Sequence, residues 1–217
     1  MKETTTATNL PQKTVERLSQ YRRNLLICYA TGKTNIFSHE IANILHITPV
    51  QVRRDIMLMG YSGTLRRGYD IKELIAKIGE IIDSKNSQKV CVIGAGNLGR
   101  AIISYFTGKR TKLTIVAAFD VNPDKIDRVY AGVRCYHYDR LKEIIKKEKI
   151  SVGIITTPAA QAAGVAENLV ISGIKGILNY TPAPVNVSSH VYLEEYDMIT
   201  SLEKVAYFVK QGPTPKE

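Results

Sequence analysis

The apolar run Lys89-Val90-Cys91-Val92-Ile93 passes directly into Gly94-Ala95-Gly96-Asn97-Leu98-Gly99 and then into the helix-forming segment Arg100 to Phe106. A strand, a G-x-G-x-x-G turn and a helix in that order commit the surrounding chain to a Rossmann-type α/β layer. Gly94 permits the tight turn, Gly96 lets the backbone approach a pyrophosphate, and Gly99 allows close packing of helix on strand. The N–H groups of the helix N-terminus have no partner within the helix and suit an anion, so the whole turn, Ala95, Asn97 and Leu98 included, is a candidate cofactor cradle. A second strand, Leu113 to Phe119, ends at Asp120, 21 residues past Gly99. A carboxylate there accepts hydrogen bonds from ribose hydroxyls and repels a 2′-phosphate, so the expected ligand is NADH or NAD+ rather than NADP(H). A nucleotide-free layer, or one that holds coenzyme A, is compatible with the same pattern.

The alternation of strand and helix continues beyond Asp120. Tyr138 to Lys149 carries the helical stripe Leu141, Ile144 and Ile145, Ser151 to Thr156 reads as strand, Ala159 to Ser172 as helix, and Lys175 to Tyr180 as strand. A mainly parallel sheet covered by helices follows. Thr156-Thr157-Pro158 and Asn179-Tyr180 lie at carboxyl ends of strands, where open α/β sheets bind ligands, and are candidates for the nicotinamide side of the site. Val191 to Ile199 reads as strand-like. The apolar helix expected from Leu202 to Val209 needs a surface to cover, on its own chain or on a second copy.

The shorter N-terminal part has a different rhythm. Val15, Leu18, Tyr21, Leu25, Leu26 and Tyr29 recur at helical spacing, predicting a first helix from about Pro11 to Ala30. Ser38 is placed to cap a short second helix. Thr48-Pro49-Val50-Gln51 then announces a third, with Thr48 as N-cap, Pro49 in the first helical position and Gln51 placed to complete a capping box. Two helices joined by about three residues form a helix-turn-helix, which puts Thr48, Gln51, Arg53 and Arg54 at a DNA major groove. Tyr61 to Asp70 reads as two extended stretches around a basic turn, a wing whose Arg66 and Arg67 suit phosphates or a minor groove. A plain trihelical bundle, with Arg53 and Arg54 paired to Asp55 or to solvent, is the competing reading. An amphipathic helix from Ile71 to Ile82 and a polar linker from Asp83 to Gln88 complete this part.

Thirty basic against twenty acidic residues among 217 give a formal charge of +10, which favours polyanions without choosing among them. The denser positive charge falls in the N-terminal part. The cysteines Cys28, Cys91 and Cys135 are odd in number and widely spaced, and the four histidines do not cluster along the chain, so neither disulfides nor a metal are expected. No apolar run reaches membrane-spanning length, and the polar start from Met1 to Asn9 lacks a signal core, which makes the cytoplasm the expected location. Almost no residues remain for a substrate domain, and no His or Lys occupies an obvious catalytic strand end. Catalysis is therefore not expected, and a device coupling nucleotide to DNA is.

Arg17-Leu18 with Tyr21 and Arg23, Val52-Arg53-Arg54-Asp55-Ile56, Gly68-Tyr69-Asp70, Gly94 to Arg100, Ala117 to Asp120 and Gly173 to Tyr180 together resemble the Rex family of bacterial redox-sensing transcriptional repressors, over essentially the whole length. The resemblance implies a winged helix-turn-helix domain (1–84), a Rossmann NAD(H)-binding domain (85–200) and a C-terminal helix and tail (201–217) swapped into the partner of a homodimer. It implies binding to palindromic operator DNA when the NADH/NAD+ ratio is low and release when NADH binds. It also assigns Tyr105, beside the nicotinamide, and Asp197 of the opposite subunit to the redox-dependent closure. This chain departs from the family in carrying Met59 and Tyr180 where Phe is usual, and Gly63-Thr64-Leu65-Arg66 in the wing where Gly-Lys-Arg-Gly is more often found.

Overall fold

The computed structural model describes residues 10–64, 66–84, 86–108 and 112–211, so the start of the chain, the wing's Leu65, the linker's Lys85 and the end of the tail lie outside the described residues. The chain divides into two compact units, Met1–Lys85 and Asn86–Glu217.

The N-terminal unit runs α1 (Gln12–Ala30), β1 (Asn35–Ile36), α2 (Ser38–Leu45), α3 (Pro49–Leu58), β2 (Tyr69–Asp70) and α4 (Ile71–Ile82). Leu18, Tyr21 and Leu25 of α1 meet Ile41, Val52, Ile56, Leu74 and Ile78 in one core. Burial of each such side chain contributes about 1.5–3 kcal/mol. The apolar stripe of α1 is narrower than its periodicity predicts: Val15, Leu26 and Tyr29 are exposed, and Thr14 is buried instead. Ser38 opens α2 as its first residue rather than its cap, and its hydroxyl receives Nη1 of Arg53 at 3.1 Å. Strand β1, too short to be seen as a pattern, pairs antiparallel with β2 through Asn35↔Asp70 and Ile36↔Tyr69. This ribbon anchors the wing, whose turn is closed by reciprocal 2.8 Å hydrogen bonds between Thr64 and Gly68. Gly68 has φ +68, and a side chain there would strike the Ile36 carbonyl.

The C-terminal unit follows β3 (Gln88–Ile93), α5 (Asn97–Phe106), β4 (Leu113–Asp120), β5 (Val129–Tyr130), β6 (Val133–His137), α6 (Leu141–Glu148), β7 (Ile150–Ile155), α7 (Ala162–Ile171), β8 (Gly176–Asn179), β9 (Tyr192–Glu195) and α8 (Met198–Gln211). Among the described residues the sheet has seven strands in the order β5-β6-β4-β3-β7-β8-β9, parallel except for the β5–β6 hairpin. The pleat sorts β3 between two cores. Cys91 and Ile93 face Ile144 and Ile145 of α6 and Leu169 of α7, whereas Val90 and Val92 face Ile102 and Ile103 of α5. Because β4 and β7 flank β3 on opposite sides, the chain reverses its winding at the carboxyl end of β3, where a crevice opens.

Strand β9 ends at Glu195, earlier than its apolar residues predict, because Asp197 accepts hydrogen bonds from the N–H groups of Ile199 and Thr200 and starts α8 three residues before Ser201. None of the α8 residues is buried within this one chain, Leu202, Val205, Phe208 and Val209 included. Such an apolar helix left bare marks a surface made for a partner.

Candidate functional site

The crevice is a cleft of about 820 Å³ between the Gly94 turn, the end of β4 and the segment after β7. Gly94 has φ +98, and a Cβ on it would lie 2.8 Å from the Thr156 carbonyl oxygen; a Cβ on Gly99 would fall on the carbonyl of Gly94. The fold itself therefore demands both glycines. Gly96 is different, since a Cβ there meets nothing within 4 Å. Only an occupant of the open space could make that glycine necessary. Gly96 also begins α5 without a side-chain cap, which leaves the first-turn amides facing outward.

Asp120 closes one wall. Its Oδ2 accepts from Ala95 N at 2.8 Å and Lys125 Nζ at 3.0 Å, and its Oδ1 from Asn122 N at 2.9 Å. Burial by itself would raise this carboxyl, but the bonds from Asn122, Lys125 and Ala95 outweigh it and hold the group below the usual carboxylate range, as an anion at neutral pH. Asn97, Leu98, Thr156, Thr157 and Pro158 line the cleft with it. The Thr156 hydroxyl is already donated toward the carbonyls of Gly94 (2.8 Å) and Ile93 (3.0 Å), which clamps the turn. The Thr157 hydroxyl is buried at the wall without a partner, as a group meant for a ligand would be.

Several lining residues escaped the sequence reading: Asn122, Lys125, Tyr138, Gln161 and Asn168. A signal existed for two of them. Asn122-Pro123 marks a turn, and Asn122 caps the 3-10 segment Pro123–Lys125 by accepting from Asp124 N, which returns Lys125 to Asp120. The others come from α7 and the segments before α6 and α7, and only the sheet order brings them in; Asn168 Nδ2 donates to the Tyr138 hydroxyl at 3.1 Å.

The remaining candidates lie elsewhere. Ala95 and Gly99 sit behind the lining of the turn, both buried. Asn179 is fully buried and turned into its own loop, accepting from Thr181 N and Oγ1 and donating to the Ala183 carbonyl at 2.8 Å. Tyr180 packs against Tyr196 with ring centroids 5.2 Å apart. Tyr105 is exposed near the end of α5, edge-on to Phe106, and Asp197, also exposed, accepts from Thr200 Oγ1 at the start of α8.

In the N-terminal unit, Thr48 caps α3 by accepting from Gln51 N at 3.2 Å. The expected capping box does not form: Gln51 Nε2 donates instead to Asp55 Oδ1 at 2.9 Å. Asp55 is completely buried and also receives Arg17 through Nε (2.6 Å) and Nη2 (2.7 Å) and the Tyr21 hydroxyl (2.7 Å). Burial opposes its charge, yet Arg17, Tyr21 and Gln51 hold the carboxyl below its usual range. The arginines of α3 are thus not the partners of Asp55. Arg53 and Arg54 project outward on the face opposite the core, and Arg66 and Arg67 of the wing are likewise exposed. Opposite its basic face, α3 is fastened to α1 by a two-pronged ion pair whose carboxylate is fully buried.

Burial pushes the Cys91 thiol up to about 12 and the Cys135 thiol up to about 11, far from a reactive thiolate. Among the described residues, no group of three or more His, Cys, Asp or Glu is placed to hold a metal ion, and no helix is long and apolar enough to cross a membrane.

Two family models match: the CoA binding domain over residues 85–183 and the putative DNA-binding protein N-terminus over residues 9–56. The chain is 37% identical over 206 residues to the redox-sensing transcriptional repressor Rex of Geobacillus kaustophilus, covering 95% of this chain and 96% of that protein. It is 36% identical to the Rex of Bacillus subtilis, with 93% of each covered. Among solved structures it is similar to RSP in complex with β-NAD+ and operator DNA (29% identity, TM-score 0.85, 93% of each chain). It is also similar to RSP in complex with β-NADH (28% identity, TM-score 0.83, 94% of this chain and 95% of that one).

Proposed function

The chain belongs to the Rex family of redox-sensing transcriptional repressors, and from that premise we propose that it is an NADH-responsive repressor. It binds operator DNA when the NADH/NAD+ ratio is low and dissociates when NADH binds. It acts as a homodimer in the cytoplasm, with the bare apolar face of α8 covered by the partner subunit. The observation that carries the reading is one chain that joins an outward basic helix, α3 (Pro49–Leu58), to a cleft walled by the Gly94 turn and Asp120.

Within the cleft, the first-turn amides of α5 beside Gly96 hold the diphosphate, and Asp120 receives the adenosine ribose hydroxyls. Thr156, Thr157 and Pro158 flank the nicotinamide. Coenzyme A fits less well, because the phosphate on its ribose would meet the Asp120 carboxylate. When bound, the nicotinamide supplies the redox signal. The residues of this chain supply binding and a difference in affinity between two states, not hydride transfer to a substrate. Tyr105 and Asp197 of opposite subunits act at the closure. On the DNA side, Thr48, Gln51, Arg53 and Arg54 face the major groove and Arg66 and Arg67 the flanking backbone, with Gln51 also bracing Asp55.

Titration of labelled operator duplex with the full chain at fixed salt, with NADH or NAD+ present, tests the reading. Much weaker binding with NADH is expected, and equal affinity under both conditions would remove the sensing function. Alkylation of accessible thiols is expected to leave the NADH response intact, since Cys91 and Cys135 are buried.

A further inference from the structure

Val50, Arg53, Arg54, Met57 and Leu58 recur at i, i+3, i+4, i+7 and i+8 along α3 and line one shallow surface depression. Val50 is 63% exposed and Met57 72%, although Val52, Ile56 and Asp55 on the opposite face are fully buried. A stripe of bare apolar side chains interleaved with arginines is an uncommon solvent surface and marks a binding face. Asp55, the single acid in α3, is turned inward onto Arg17 and Tyr21, so the outward stripe carries positive charge only.

What covers such a stripe must be anionic at its edges and apolar at one place in its floor. The DNA major groove has that composition: phosphates rim it, and the thymine C5-methyl is the apolar group on its base edges. Position along the helix narrows the assignment. Base contacts in helix-turn-helix proteins concentrate at the N-terminal end of the second helix, and Val50 follows Pro49 in its first turn. Arg53, one turn further, is held at α2 by its bond to the Ser38 hydroxyl, while Val50 stays exposed.

We propose that Val50 is a specificity-determining residue that packs on the 5-methyl group of a thymine in each operator half-site, selecting thymine over cytosine there. The inference rests on the reading of α3 as the DNA-recognition helix and goes beyond it by assigning one base contact to one side chain.

The test uses duplexes selected from a random pool by the full chain without NADH, in which each thymine is replaced in turn by deoxyuridine, a change that removes only the methyl. At one thymine per half-site, replacement is expected to weaken binding about fourfold per methyl, the value of one buried CH₂-sized group. Val50→Ala is expected to bind the thymine and deoxyuridine duplexes alike. Its NADH affinity should equal that of the unaltered chain, which certifies that the variant is folded. The inference is overturned if no thymine replacement matters to the unaltered chain, or if the penalty persists undiminished in Val50→Ala. A change in sedimentation of Val50→Ala with no change in the duplex comparison would overturn it too, by assigning the stripe to a second copy of the chain. Failure to select any duplex is a different result, since it removes the DNA-binding reading together with the contact.

Discussion

Asp55 in the N-terminal unit and Asp120 in the C-terminal unit each gather donors from three other residues, and in both the charge survives burial because those donors outweigh it. Their surroundings differ in one respect that sets their roles apart. The donors of Asp55 are side chains, Arg17 with two prongs, Tyr21 and Gln51, which together make four hydrogen bonds. A carboxylate has about four acceptor sites, so nothing is left to offer a ligand. Asp120 takes one bond each from Ala95, Asn122 and Lys125, and it stands on the wall of an open cleft. A full and enclosed carboxylate fastens helices, whereas one with an acceptor site to spare at the edge of a cleft is available to a hydroxyl.

The largest effect that can break this contrast is expected from Asp55→Ala. It strands the Arg17 guanidinium beside α3; removing one partner of a buried pair costs about 3–5 kcal/mol, and with Arg17 about a fifth exposed the lower end applies. Hydrogen exchange should show the amides of α1 and α3 losing protection by a hundredfold or more while β3 and β4 keep theirs. NADH affinity of the folded fraction should stay as it was. A loss of NADH affinity with protection in α1 unchanged would mean that Asp55 is not an anchor.

Asp120→Ala is expected to do the reverse. Hydrogen bonds to a charged group are worth about 1.5–3 kcal/mol, so NADH should bind roughly ten to a hundredfold more weakly by calorimetry. DNA binding without NADH should change little. Unaltered NADH affinity would take the ribose role away from Asp120.

Acid should draw the same line with a smaller effect. Both carboxyls are depressed in the folded chain, so the stability they supply is complete above the unfolded value of about 3.9 and is lost as pH falls through the lower folded values. Urea unfolding between pH 3 and 7 should therefore show a falling acid limb in the N-terminal unit that Asp55→Ala flattens. If that limb is as steep in the variant, the four bonds to Asp55 contribute nothing to the pH dependence.

The two carboxylates were not equally legible. The place of Asp120 on the cleft wall could be anticipated from sequence because it follows local order, a strand end at a fixed distance from a glycine turn. Asp55 sits in Val52-Arg53-Arg54-Asp55-Ile56, where adjacent arginines suggest a pairing that helical geometry forbids, since neighbours in sequence do not face each other. Its partners Arg17 and Tyr21 lie 38 and 34 residues away on another helix. The same distinction covers the rest of the molecule. The cap at Thr48 and the alternating strands and helices were readable because each depends on a few consecutive residues. Strand β1, the β5–β6 hairpin and the Gln161 and Asn168 wall of the cleft were not, because pairing partners or sheet order create them. Asn179 is the reverse case: its strand-end position suggested a ligand contact, while in the fold its amide is bonded to Thr181 and Ala183.

The smallest expected effect tests whether the neighbour of Asp120 belongs to the same device. Lys125 Nζ lies 3.0 Å from Oδ2, with its side chain about a third exposed, so the pair is worth under about 1 kcal/mol to stability. Its consequence for ligands is a matter of sign. With the ribose placed at Asp120 as proposed, the ammonium would cancel part of the carboxylate field near a 2′-phosphate and so soften the repulsion of NADPH. Lys125→Met removes that cancellation and leaves the ribose acceptor in place. The ratio of NADH to NADPH affinity, measured by competition at low salt, should then widen about two- to fivefold, mostly through weaker NADPH binding, and the widening should shrink at high salt. If the ratio narrows instead, the lysine is a direct partner of the nucleotide ribose and Asp120 is only its support. The assignment of the two residues would then have to be exchanged.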